Sequence, residues 1–263
     1  MSLATKLAGL RQIWRFDNRW FLLVQRLLFR RESLAIYRLG RLRVLVDHDA
    51  GDQSGAPEVI TTRMYADHLA HLASTTPVTL LDLGANAGGF PLFLAHHGVP
   101  LARVVSVELN PRTCIRLRYN LERNLDCPVE VRNAALCGTP ARFELALGEG
   151  GVGDSLYAAS FNSTGTTTVV MGETFDALFE RYYGGQTVDI CKIDVEFVEY
   201  DVLAQPGHER LCNCRLIVIE IHNKPGHSPR EVADAIVALG FDELPRGSDP
   251  DVYLFRRRDA ARA

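Results

Sequence analysis

From Val78 onward, short apolar runs alternate with stretches of helical spacing. The runs are Val78 to Leu83, Val104 to Leu109, Val129 to Ala134, Val188 to Val195 and Leu216 to Ile221. Most are apolar at nearly every position, which predicts strands buried on both faces, as in a parallel sheet covered by helices. Asn110 followed by Pro111 supplies an N-cap and a proline at the first helical position, predicting a helix over Arg112 to Leu125. Ser228 and Pro229 repeat the device before Arg230 to Leu239, and Gly240-Phe241 and Val252 to Phe255 read as two closing strands. The chain begins differently. Residues 8 to 31 place Leu, Phe, Trp and Arg at helical spacing, predicting one or two amphipathic helices whose apolar stripe must pack on something. Leu34 to Val46 reads as a hairpin turning at Leu39-Gly40-Arg41, Asp47 to Pro57 as a loop, and Glu58 to Ala73 as a helical segment.

This pattern predicts an α/β fold: a mostly parallel seven-stranded sheet with helices on both faces, preceded by a helical and hairpin extension. Residues 1–76 are read as that extension, 77–258 as the main domain and 259–263 as a tail. At 263 residues and 47 % hydrophobic composition the chain buries one full core. The best candidate for a membrane span, Trp20 to Phe29, is too short and is interrupted by Gln25 and Arg26. With no secretory signal pattern at its start, the chain is expected in the cytoplasm. The six cysteines show no paired spacing and are read as reduced thiols. Formal charge is −3, which gives no general nucleic-acid footprint. Its distribution is uneven: residues 1 to 50 carry ten Lys/Arg against four Asp/Glu, so the remainder carries −9. Solvated helix faces explain such a surplus, and an anionic ligand or membrane surface is the alternative.

The chemistry concentrates at Leu80-Leu81-Asp82-Leu83-Gly84-Ala85-Asn86-Ala87-Gly88-Gly89-Phe90, a buried strand entering a glycine-rich turn and then a helix. In an α/β sheet that turn lies at the carboxyl edge of the strands, where nucleotide-like ligands bind; an ordinary tight turn is the alternative. Glu108 ends the next strand, 26 positions after Asp82, where a carboxylate can accept both ribose hydroxyls. Asn86 stands where a dinucleotide fingerprint needs its second glycine, so the spacing disfavours a pyrophosphate.

The D-L-G-A-N-x-G turn and the Glu108-Leu109-Asn110-Pro111 stretch resemble class I S-adenosylmethionine-dependent methyltransferases of Rossmann-like fold. Later segments narrow the resemblance to the FkbM-type family of O-methyltransferases: Asn133-Ala134-Ala135-Leu136, Thr174 to Leu178, Lys192 to Glu196 with Glu199 to Leu203, and Ile217 to His222. It covers roughly residues 45 to 258, Gly51-Asp52-Gln53 and Glu58 to Tyr65 included. The resemblance implies S-adenosylmethionine as cofactor, with Gly84, Ala85, Asn86 and Gly88 around its methionine part and Asp82 supporting the turn. It further implies Glu108 and Leu109 at the ribose, Asn133 and Ala134 at the adenine edge, and Asp194 beside the reacting centre. Ser155 is placed to close over the base, with a plain surface loop as the alternative, and Tyr65 and Glu58 to roof the pocket. One departure stands out, because the family has Gly-Ala where this chain has Phe197 and Val198.

Lys192 and Asp194, two apart, share one face of a strand, and Glu220 and His222 share one face of the next. These four are the expected catalytic residues, with His222 or Asp194 as the base that deprotonates an acceptor hydroxyl. A buried structural ion pair is the alternative for Lys192 and Asp194. Asp194, Glu196, Glu220 and His222 offer ligands for a divalent ion such as Mg²⁺, a reading not favoured because carboxylates beside a cationic cofactor have another purpose. The expected acceptor is a small molecule, a sugar or natural-product intermediate, and no nucleic-acid partner is expected. Self-association through the N-terminal helices is a further expectation. The competing readings are a nicotinamide-dependent oxidoreductase and a non-catalytic S-adenosylmethionine-binding protein of the same fold.

Overall fold

The computed structural model describes residues 12–29, 32–148, 156 and 163–258. Seven strands form the central sheet in the order β11-β12-β10-β9-β3-β4-β5. They are β3 (Val78–Leu83), β4 (Leu101–Glu108), β5 (Val129–Asn133), β9 (Val188–Ile193), β10 (Cys214–Glu220), β11 (Phe241–Glu243) and β12 (Val252–Arg257). The pairings from β5 through β10 are all parallel, and β12 alone runs against its neighbours. This is the mostly parallel seven-stranded α/β sheet, of Rossmann-like type, that the apolar pattern predicts. The chain starts in the middle at β3, builds outward to β5, then returns to lay β9 on the other side of β3. The crevice beyond the ends of β3 and β9 is therefore the switch point where ligands bind in such sheets.

Alternation along the strands sorts the core into two layers. Leu80, Val104, Ile190 and Val218 belong to one apolar cluster, whereas Leu81, Val105, Cys191 and Ile217 belong to the other. The first layer is covered by α4 (Gly89–His96) and α5 (Pro111–Asn124), the second by α6 (Phe175–Tyr183), α7 (Glu199–Ala204) and α8 (Pro229–Ala238). Both helix starts carry the caps expected from sequence. The Asn110 side chain accepts from Arg112 N at 2.9 Å, and Ser228 pairs reciprocally with Glu231 in a capping box.

The N-terminal unit joins the first layer. Helix α1 (Arg19–Leu28) packs Leu22, with Ile13 and Phe16 ahead of it, against the hairpin β1 (Leu34–Leu39) and β2 (Leu42–Asp47). Two asparagines of α5 hold the open edge of β2. Asn120 Oδ1 accepts from Leu45 N and its Nδ2 donates to Leu45 O, and Asn124 does the same for Arg43. Asn120 also donates to Ala87 O at 2.9 Å, tying hairpin, helix and glycine turn together. A buried pair between Arg116 and Asp52, 2.6 Å apart, anchors the loop that follows the hairpin.

Three features differ from the sequence pattern. The segment expected as one helix over Glu58 to Ala73 is broken into α2 (Ala56–Thr61), a turn, and α3 (Leu69–Leu72). Thr61 bonds back to Pro57 O at 2.7 Å and Thr62 turns extended, so two successive β-branched residues end the helix early. Between Ala134 and Val188, where no strand was expected, β6 (Ala135–Leu136), β8 (Ser163–Glu173) and β7 (Arg142–Gly148) form a small sheet. The Ser-, Thr- and Gly-rich start of β8 reads as loop, and β6 is only two residues long. Finally, Trp14, Trp20, Phe21 and Phe29, whose stripe the pattern requires to pack, are 49 % to 63 % exposed.

Candidate functional site

Two cavities adjoin at the carboxyl ends of β3, β4, β9 and β10. The first, a slot of about 80 Å³, is lined by Gly84, Asn86, Glu108 and Asp194 and by an apolar wall that includes Val107, Leu109, Ala134, Leu136, Leu156 and Val198. The second, of about 270 Å³, lies between the same turn and the segment after the hairpin. Glu58, Met64, Tyr65, Ala85, Phe90, Lys192, Asp194, Glu196 and Glu220 are among its walls. Gly84, Asn86, Asp194 and Glu196 line both, so the two spaces meet at one point.

The turn is built for close packing. A side chain at Gly84 would put its Cβ 1.6 Å from Asp194 O, and one at Gly88 would meet Leu121 Cδ2 at 2.9 Å, both at positive φ. The glycines let the turn sit against β9 and α5, a different reason from the ligand approach read in sequence. Asn86 itself takes φ +47. Its amide donates to Glu108 Oε2 at 2.9 Å, and Asn110 N donates to Glu108 Oε1 at 2.8 Å. Glu108 is thus fixed at the end of β4 by backbone donors on both oxygens. A carboxylate so held, next to an apolar slot, has the chemistry to face the vicinal hydroxyls and base of an adenosine.

Not every residue expected at the cofactor lines this slot. Asn133 points to the backbone, donating to Glu108 O and Leu109 O at 3.0 and 2.7 Å, and shapes the wall from behind. Gly88 and Asp82 lie beneath the turn, and Ala85 faces the second cavity. Ser155 and most of the Gly148 to Gly153 loop fall outside the described residues.

The second cavity carries the charged cluster. Register places Asp82 beside Lys192 and Val218 beside Lys192 on the other side, so strand ends bring Asp194 and Glu220 together. Lys192 Nζ donates to Gly84 O at 2.7 Å and stands 3.1 Å from Asp194 and 3.6 Å from Asp82. Burial opposes its charge, but the carboxylates of Asp194 and Asp82 outweigh burial and hold its pKa above the usual lysine value. Asp82, wholly enclosed, is pushed up to about 6 by burial against the pull of Lys192.

His222 is ringed by acids. Its Nδ1 bonds Glu199 at 2.8 Å, while Nε2 lies 3.5 Å from Glu196, 3.7 Å from Glu220 and 3.9 Å from Asp194. Burial pulls its pKa down, but the bond to Glu199 and the surrounding carboxylates raise it to about 9, so it is an imidazolium at neutral pH. Glu220 moves the other way for a carboxylate, raised to about 7 by burial and by the charge on Asp194. Glu199 was quoted in the sequence motif without a role; its place in the first turn of α7, three residues after Glu196, is the signal that sets it under His222. Asp194, Glu220 and His222 offer atoms within 4.8 Å of one another, the spacing of a metal site.

Phe197, the departure noted in sequence, has φ +74 and follows Glu196 at φ +50. The first of these lies in the left-handed region that favours glycine and that strains a bulky side chain. Its ring packs on His222 with centroids 5.4 Å apart and lines neither cavity.

No curated protein matches the chain in sequence. Among solved structures, a methyltransferase FkbM from Methylobacillus flagellatus KT superposes with a TM-score of 0.47 at 15 % identity, covering 68 % of this chain and 43 % of that one. This chain therefore spans less than half the length of that relative. The M. capricolum TrmK, in complex with its cofactor product S-adenosyl-homocysteine, gives a TM-score of 0.41 at 11 % identity, covering 75 % of this chain and 67 % of that one. The ribosomal protein L11 methylase of Lactobacillus delbrueckii subsp. bulgaricus gives 0.42 at 10 % identity, covering 75 % and 79 %. These likenesses are ones of fold. The sequence model of the methyltransferase FkbM domain, by contrast, matches residues 82–243, more than half the chain and every strand end that builds the site, and this protein belongs to that family.

Proposed function

We propose that the protein transfers a methyl group from S-adenosylmethionine to a hydroxyl oxygen of a small molecule, a sugar or natural-product intermediate. The observation that carries this reading is the junction of the two cavities at Asp194, with the clamped Glu108 on one side and Glu220 on the other. Glu108, Asn86 and the apolar slot would hold the cofactor, whose sulfonium supplies an activated methyl group. Asp194, at the junction, places negative charge toward that cation. In the second cavity Glu220, with a pKa near neutral, is matched to accept the acceptor's hydroxyl proton at Oε. The base is therefore Glu220 in place of the His222 favoured by sequence, because His222 already carries its proton at neutral pH. His222 positions the carboxylates around it. Lys192 holds Asp194 and the turn in fixed relation, and Tyr65, Phe90 and Met64 exclude water from the acceptor side.

Asp194, Glu196, Glu220 and Glu58 outnumber Lys192 around the second cavity. A neutral polyol or an amine-bearing hydroxyl compound suits this wall, and a phosphorylated acceptor does not. Calorimetry with S-adenosylmethionine and with NAD separates this reading from an oxidoreductase: the first should bind and the second should not, and the reverse result would overturn the proposal.

A further inference from the structure

Helix α1 presents an apolar face that nothing among the described residues covers. Trp20, Phe21, Val24, Leu27 and Leu28 recur at i, i+1, i+4, i+7 and i+8, an arc of about 120° on the helix surface. Their exposure runs from 48 % at Val24 to 74 % at Leu28, the highest among the exposed large apolar side chains. Trp14 continues the face, its ring edge-on to Trp20 at 5.0 Å with the Arg19 guanidinium over it at 5.6 Å. No residue of this segment lines either cavity, so the catalytic site does not account for it.

Charge says what covers it. The first 31 residues carry seven Lys or Arg against one acid, Asp17, while residues 32–263 carry the chain's entire negative excess. A second copy seated on this face would bring two such basic segments together with almost no acid between them. We infer that the face docks on an anionic lipid bilayer, with α1 lying in the plane of the interface. Indole and phenyl rings and leucines enter the headgroup boundary, and the net positive charge of the segment is drawn to the anionic surface. The acidic remainder gives the molecule one preferred orientation, basic end to the membrane. The segment ahead of α1 also bonds to the loop and helix that follow the hairpin, Gln12 donating to Gln53 O and Arg15 to Thr61 O. The inference does not depend on methyl transfer.

The chain has two tryptophans, Trp14 and Trp20, both on this face, so intrinsic emission reads its environment directly. The full chain is mixed with phosphatidylcholine vesicles containing about one third phosphatidylglycerol, and with phosphatidylcholine alone. Emission should move to the blue and the protein should co-sediment with the anionic vesicles. On neutral vesicles, or for Phe21→Asp combined with Leu28→Asp in a variant that keeps wild-type circular dichroism, affinity should fall by about tenfold or more. Added salt should release the wild type. Absence of binding to anionic vesicles, equal binding to neutral ones, or an unaffected double variant would overturn the inference. So would a blue shift that follows protein concentration alone with a dimer in sedimentation, since a second copy would then be the occupant.

Discussion

Lys192 Nζ donates to the carbonyl oxygen of Gly84 at 2.7 Å, joining β9 to the glycine turn, the proposed acceptor side to the proposed cofactor side. The same two elements touch a second time, where the missing side chain of Gly84 leaves room for Asp194 O. The relative position of donor and acceptor sites is thus set by backbone packing before any ligand arrives.

Gly84→Ala should therefore fail in the absence of cofactor. A methyl group 1.6 Å from Asp194 O must displace β9 or the turn, at positive φ besides. The expected loss of stability is about 3 kcal/mol or more, read by chemical denaturation of the apoprotein. Wild-type stability with cofactor binding alone abolished would return the glycine to the role of a ligand cradle.

The strands were legible because parallel strands are buried on both faces and read as unbroken apolar runs, bounded here by caps at Asn110 and Ser228. The small sheet of β6, β7 and β8 was not, since β6 is only two residues long and β8 opens with a Ser-, Thr- and Gly-rich run that reads as loop. Asp82, Lys192, Asp194 and Glu220 could be placed by parity and strand order. The charge state of His222 could not, because it depends on Glu199, which reaches the ring from another element. The contacts that Asn133, Gly84 and Gly88 make within the protein could not be read from sequence either, because they depend on Glu108, Asp194 and Leu121 arriving from other elements.

Glu108→Ala should weaken S-adenosylmethionine binding by about 1.5 to 3 kcal/mol in calorimetry, the usual effect of losing charged hydrogen bonds. It should also loosen the turn, since Asn86 N and Asn110 N lose their acceptor. A folded variant with unchanged affinity would remove Glu108 from the ribose.

Phe197→Gly restores the residue that φ +74 favours. Relief of about 1 to 2 kcal/mol of backbone strain should offset the lost ring contact with His222, leaving melting temperature equal or raised. A clear fall in melting temperature would mean that the ring's packing outweighs the strain.

The pH profile follows from two groups. Activity should rise as pH passes about 7 and Glu220 loses its proton, and fall near 9 as His222 loses its own. For stability, the folded pKa of His222 lies above its unfolded value of 6.5, so its contribution is complete below pH 6.5 and is lost toward pH 9. An NMR titration of the imidazole reads this directly. A midpoint at or below 6.5 would contradict the charged ring among Asp194, Glu196, Glu199 and Glu220.

In the proposed reaction a methyl group passes to oxygen, with the cofactor held on one side of Asp194 and the acceptor deprotonated on the other. The most direct measurement follows a labelled methyl group from S-adenosylmethionine into a panel of hydroxyl-bearing small molecules, with and without chelator, by mass spectrometry. The prediction is a gain of one methylene on a hydroxyl compound, unaffected by chelator. In Glu220→Gln the rate should fall by about 10² or more while cofactor affinity stays near wild type. Label that appears on no hydroxyl acceptor, or turnover in Glu220→Gln equal to wild type on the true acceptor, would contradict it.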